Sequence, residues 1–222
     1  MNVLTPVLLS FLLPLVAVQT NAAVVTSLPS GIIAPMPAIN YFGSGPQVFD
    51  GGEITWTSTN VISLGGSVFG SGCCYGFGSN GDWNGALGPM AGLNSGFDAT
   101  GVTDTMTFML TTPVAGIGGF LNYLPFTSRP TTIAVYDASH SLIESFNLTF
   151  LIGGGSASIN TGFFYGFLES SPTIKYFTLT DNFVGIVNLS TQADAVPEPA
   201  TLLLLGSGLA LIAVLRRKRL LS

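Results

Sequence analysis

The sequence predicts an all-β fold: an antiparallel two-sheet β-sandwich or jelly roll, with an N-terminal signal helix and a C-terminal transmembrane helix at its ends. Three observations predict it. Gly accounts for 28 of the 222 residues and only 8% of residues are charged, so the Lys and Glu that usually fill exposed helix positions are scarce. Thr alternates with large apolar residues in several short runs, the period of two expected of half-buried strands. Clusters of Gly, Pro, Ser and Asn separate those runs at turn spacing. A closed barrel is the alternative. No repeat at propeller or solenoid spacing is visible.

The elements follow in order. Leu28 to Pro37, rich in Pro, Ser and Gly, is an extended lead-in. Glu53-Ile54-Thr55-Trp56-Thr57-Ser58-Thr59 alternates and predicts a strand. Val61 to Phe69 predicts another, with Gly65-Gly66 marking a bulge or turn. From Gly70 to Gly101 the pattern is lost, and a long functional loop is one reading of this Gly-rich stretch. Order returns at Val102. Thr103, Thr105 and Thr107 alternate with Met106, Phe108 and Leu110, giving one buried and one hydroxylated face. Val114 to Leu124 is an apolar run cut by Gly116, Gly118 and Gly119. Thr131 to Tyr136 and Leu142 to Phe150 form a hairpin about the turn Asp137–Ser141. Glu144 is the exception on the apolar face of its return strand. Gly162 to Leu168, Pro172 to Thr180 and Phe183 to Leu189 add three strands. A sandwich buries the apolar face of each sheet against the other and leaves the threonine faces wet.

The two ends have a different character. Val7 to Val18 is an apolar stretch of signal-peptide length, and Thr20-Asn21-Ala22 and Asn21-Ala22-Ala23 each offer a small residue at a cut. Residues 1–23 are therefore expected to be a removable secretory signal. At the other end, Pro197, Glu198 and Pro199 precede an apolar run over 200–215, followed by Arg216, Arg217, Lys218 and Arg219. As a helix that run rises about 24 Å at about 1.5 Å per residue, short of the roughly 30 Å of a hydrocarbon core. The basic cluster is expected on the cytoplasmic side, leaving the preceding chain outside.

This order of triplet, apolar run and basic tail, over 196–219, resembles the PEP-CTERM sorting signal of Gram-negative bacteria. The resemblance implies recognition and cutting by an exosortase-like membrane protease. It further implies a precursor anchored in the inner membrane and a body delivered to the cell surface or extracellular matrix. Four pieces of the later body are similar to the β-sandwich bodies often attached to that signal: Pro113–Phe120, Thr132–Ala138, Gly162–Phe167 and Ile174–Leu179. Such bodies often end with an Asp-Asn pair in the last strand. Asn188 fits, but Val187 stands where the Asp would be.

The body between the two signals, 24–195, is one domain by length. It holds ten acids and two bases, a net charge of −8. Nucleic acid is excluded as a partner, because phosphate binding needs clustered cations. Anionic lipid headgroups are disfavoured on the same ground.

Few constellations in the body carry chemistry. Cys73 and Cys74 are adjacent. A vicinal disulfide, pairing with another chain, and unpaired thiols all remain open, since neighbouring Cα atoms lie about 3.8 Å apart and an ordinary disulfide wants about 4.4–6.8 Å. Asn80, Asp82 and Asn84 place oxygen side chains at alternate positions like the start of a calcium loop. Ala91 occupies the position of the closing Glu, which excludes an EF-hand and leaves a looser calcium site or an Asx turn. Gly76–Gly81 fits G-x-G-x-x-G but lacks the strand before and the helix after it that dinucleotide binding needs. Enzyme chemistry is not expected. His140 is the only histidine and sits in a predicted turn, no G-x-S-x-G element occurs, and no cofactor other than calcium is suggested. Trp56, Tyr75, Trp83 and Tyr123 are candidate aromatic platforms for sugar rings, against the alternative that they are core. Asn147 and Asn188 begin N-x-S/T triplets inside predicted strands, which we read as chance.

The expected function is an exported structural protein of the cell surface or matrix, associated with exopolysaccharide. A carbohydrate-binding module of the same fold is the alternative, and a secreted hydrolase a further one.

Overall fold

The computed structural model describes residues 23–60, 66–70, 89–94, 103–123, 131–148, 163–181 and 183–194. They form two antiparallel sheets. The expected helix at 1–23 lies outside the described residues except for Ala23, which is the first residue of a strand, and the expected helix at 200–215 lies wholly outside them. No helix among the described residues is long and apolar enough to cross a membrane.

The threonine-alternating segments build the six-stranded sheet. Its strands are β4 (Gln47–Phe49), β5 (Ile54–Ser58), β8 (Asp104–Val114), β10 (Thr132–Tyr136), β11 (Leu142–Asn147) and β13 (Ile174–Asp181), in the spatial order β11-β10-β13-β8-β5-β4. Alternation holds through β5, the first seven residues of β8 and Tyr176 to Asp181 of β13, and it lapses in β10, where Ala134 is buried between two inward neighbours. Trp56, Met106, Phe108, Phe177, Leu179, Ile133 and Val135 point inward and are fully buried. Thr55, Thr57, Thr107 and Thr178 occupy the intervening, outward positions.

The glycine-rich segments build the eight-stranded sheet: β1 (Ala23–Val25), β2 (Ile32–Ile33), β3 (Tyr41–Phe42), β6 (Gly66–Phe69), β7 (Met90–Asn94), β9 (Gly116–Tyr123), β12 (Phe163–Leu168) and β14 (Phe183–Gln192). The path runs β1-β12-β9-β14-β7-β6-β3, with β2 beside the end of β14. Gly118 and Gly166 face each other across β9 and β12. A Cβ on Gly166 would lie 2.4 Å from the Ile117 carbonyl oxygen and 2.7 Å from the Gly118 Cα, so this pair needs residues without side chains. β14 changes neighbours along its length. Phe183 to Val187 pair with β7, and Ser190 and Thr191 pair with β2. The break falls at a bulge where Asn188 has φ of 50°, a conformation that Asn tolerates better than most residues.

The two sheets share one core. Phe167 of β12 meets Phe177 of β13 edge-on at 6.4 Å between ring centres, and Trp56 of β5 stacks on Phe69 of β6 at 5.3 Å. Such aromatic pairs contribute about 0.5–1.5 kcal/mol each beyond area burial.

Two features depart from expectation. Within the stretch 70–101, β7 stands where a loop was one reading. Met90, Ala91 and Leu93 are all buried, so the strand has no wet face and leaves no alternation to read. In Val61 to Phe69, the strand found among the described residues is confined to Gly66–Phe69.

Candidate functional site

The outward face of the six-stranded sheet carries a depression of about 400 Å³, within the roughly 300–1,000 Å³ of small-ligand sites. Strand register explains its lining. One cross-strand row runs Thr57, Thr107, Thr178, and the next runs Thr55, Met109, Tyr176, Tyr136. His140 completes the wall from the β10–β11 turn. The floor is shallow because threonines are short. The wall is high because two tyrosines and a histidine stand together at one end. A third row continues the hydroxylated surface, with Thr105 Oγ1 and Thr180 Oγ1 sharing a hydrogen bond of 2.8 Å.

The turn that presents His140 is built around Asp137. Its Oδ1 accepts from the Ser139 backbone N–H at 2.8 Å, the Ser139 hydroxyl at 2.7 Å and the Ser141 backbone N–H at 2.9 Å. The Ser139 hydroxyl bond and then the Ser141 amide hold the Asp137 carboxyl below its ordinary value. His140 itself adopts φ of 62°. Its ring stacks on Tyr176 with 4.2 Å between centres and 27° between planes.

The lining holds four threonines, two tyrosines, one methionine and one histidine, and no Asp, Glu, Lys or Arg. Hydroxyls both donate and accept hydrogen bonds, and tyrosines present an apolar body with a polar tip. Such a surface suits a ligand with many hydroxyls and apolar ring faces.

Two of the four expected glycan platforms are corrected by the structure. Trp56 is 0% exposed, because the same alternation that turns Thr55 and Thr57 outward turns it into the core. Tyr123 is also 0% exposed, and its hydroxyl donates to the Leu148 carbonyl at 3.1 Å. Tyr75 and Trp83 lie outside the described residues. So do Cys73 and Cys74, the calcium candidates Asn80, Asp82 and Asn84, and the sorting residues Pro197, Glu198, Pro199, Arg216, Arg217, Lys218 and Arg219. Val187, where the resemblance would want an Asp, is buried. The depression was half visible in sequence. Its threonine rows were legible, but Tyr136, Tyr176 and His140 come together only through pairing of β10 with β13.

Comparison with known proteins bears on the C-terminus. Residues 195–219 match the PEP-CTERM protein-sorting motif. No curated protein matches the chain. The motif implies recognition by exosortase, a membrane protein. The chain therefore carries a PEP-CTERM sorting signal, the mark of an exported protein processed at its C-terminus.

Proposed function

We propose that the released body is a non-enzymatic component of the extracellular polymer layer and holds a neutral polysaccharide on the threonine face of its six-stranded sheet. The observation that carries this reading is the lining of the depression, rich in hydroxyls and rings and free of Asp, Glu, Lys and Arg. Sugar hydroxyls match the threonines, and sugar C–H faces match the rings of Tyr136, Tyr176 and His140. A body charge of −8 disfavours a polyanionic polymer. The sorting signal supports this reading, since an exported body is on the side of the membrane where such polymers are laid down. The reading needs no cofactor and no catalytic residue.

The test is retention of the exported, purified protein on the producer's own exopolysaccharide. Tyr176→Ala removes the ring on which His140 rests. Retention is expected to weaken about tenfold, the equivalent of about 1.4 kcal/mol. Unchanged retention by that variant, or no retention of the wild type, would refute the proposal.

A further inference from the structure

Among the described residues Glu169 is a buried carboxylate without a counter-charge. Phe163, Tyr165 and Phe167 alternate along β12, the latter two in the core. The same period carries Glu169 to that inward side just past the strand. Glu169 is 7% exposed, and its Oε1 is shielded from water without a hydrogen-bond partner. Glu144 lies on β11 opposite the inward-facing Val135, and its Oε2 is in the same state. β13, next but one to β11, meets the eight-stranded sheet at Phe167 of β12. The two acids therefore sit along the same open side of the paired sheets. Burial pushes both carboxyls above their usual range, and the charge of Glu144 pushes Glu169 further. A carboxyl out of water either keeps its proton or is paired with a cation. Among the described residues the only Lys or Arg is Lys175, and its ammonium donates to the Thr111 carbonyl at 2.7 Å.

β1 supplies what is missing. Ala23, its first residue, is opposite Leu168, and Val25 is opposite Gly166. Because the pair is antiparallel, the nitrogen side of Ala23 is directed along the ladder toward Glu169. Of the two cut sites the sequence offers, the one after Thr20-Asn21-Ala22 falls at the Ala22–Ala23 bond. Hydrolysis there consumes one water, leaves a carboxylate on Ala22 and frees an amine on Ala23, which takes up a proton.

We propose that removal of the signal segment at Ala22–Ala23 creates a salt bridge between the new α-ammonium of Ala23 and the Glu169 carboxylate, fastening β1 to β12. This rests on the signal-peptide reading and on that choice of bond. A cut one residue later would start the chain opposite Phe167, one step away from Glu169. The ionisable groups on the inward faces around the new terminus are Glu169, Glu144 and Tyr165. β1 and the Gly116–Gly118 segment of β9 bring none. An ammonium held by carboxylates has a raised pKa. Its stabilisation is full below the unfolded amine value of about 7.7–8.0 and is lost as pH rises through the folded one.

The experiment uses the exported protein. Mass spectrometry of its N-terminal peptide is expected to find Ala23, and any other terminus overturns the choice of bond. The terminal amine is then acylated at about pH 7.5 and scored by peptide. Native protein is expected to react at least about tenfold more slowly than urea-unfolded protein, one unit of pKa being tenfold. Glu169→Gln is expected to abolish that protection. If that variant does not fold, acetylating the wild-type terminus in urea and refolding gives a second reading. Its Tm should fall, and the alkaline loss of stability should disappear. An Ala23 amine that reacts natively at the unfolded rate, or acetylation that leaves Tm unchanged, would overturn the salt bridge.

Discussion

Replacing Trp56 by Ala separates two roles for this ring, as a sugar platform and as a core anchor. The structure assigns the second. Trp56 is 0% exposed, stacks on Phe69 at 5.3 Å and receives the edge of Tyr41 at 6.3 Å. Truncation of such a ring costs about 3–5 kcal/mol, transfer and cavity included. Against a total stability of about 5–15 kcal/mol, that is a large fraction. At roughly 2–4 °C per kcal/mol for a chain of this size, Tm should fall by about 6–20 °C. Trp56→Phe sharpens the test. Its indole Nε1 is buried without a partner, an arrangement that costs about 1–3 kcal/mol, so Phe removes a penalty while giving up part of the packing. Phe should therefore be far milder than Ala. The assay is thermal and urea unfolding, run beside polysaccharide retention at a temperature where both variants are folded. If Trp56→Ala left Tm within about 2 °C and abolished retention, the ring would face solvent and the assignment of faces in β5 would be wrong.

The other predictions concern the sheet, the turn and the sorting signal. Gly166→Ala drives a Cβ into the Ile117 carbonyl across the ladder, and urea unfolding should show a loss of about 1–3 kcal/mol. Asp137 titrates below its ordinary value, so the order it gives the β10–β11 turn is full above the unfolded value of about pH 3.9 and fades as pH falls through the lower folded one. The amide signals of Ser139 and Ser141 should report this. Asp137→Ala should release His140 from Tyr176 and weaken polysaccharide retention with little change in the core. Deleting Pro197–Pro199 should leave the protein in the membrane fraction of the producer, and unchanged release would count against processing at that segment.

Much of the fold was legible because the six-stranded sheet has one wet face. Thr105, Thr107, Met106 and Phe108 declare their sides by alternation alone, and the same holds for β5 and β13. The eight-stranded sheet was harder to read. β7 is buried throughout its described side chains, and β1, β2 and β3 are two or three residues long, too short to show a period. The site was legible only in part. A threonine face announces a hydroxylated surface, but nothing local in Tyr136, His140 or Tyr176 says that they share a corner. That depends on the register of β10 against β13 and on the left-handed backbone of His140. Trp56 is core, the alternative that its phase within β5 favours, because aromatic identity alone fits a platform and a core equally. The inward position of Glu144 was visible as a break in pattern. Its relation to Glu169 was not, since it depends on how the two sheets stack.

Amide chemical-shift mapping reads directly whether the threonine face holds a neutral glycan. Neutral oligosaccharides cut from the producer's matrix would be titrated into the exported protein. Saturable shifts are expected at Thr55, Thr57, Thr107, Tyr176, Thr178 and His140, with Phe120 and Phe164 on the other sheet unmoved. Shifts confined to the eight-stranded sheet, or none at saturating sugar, would contradict glycan binding on the threonine face.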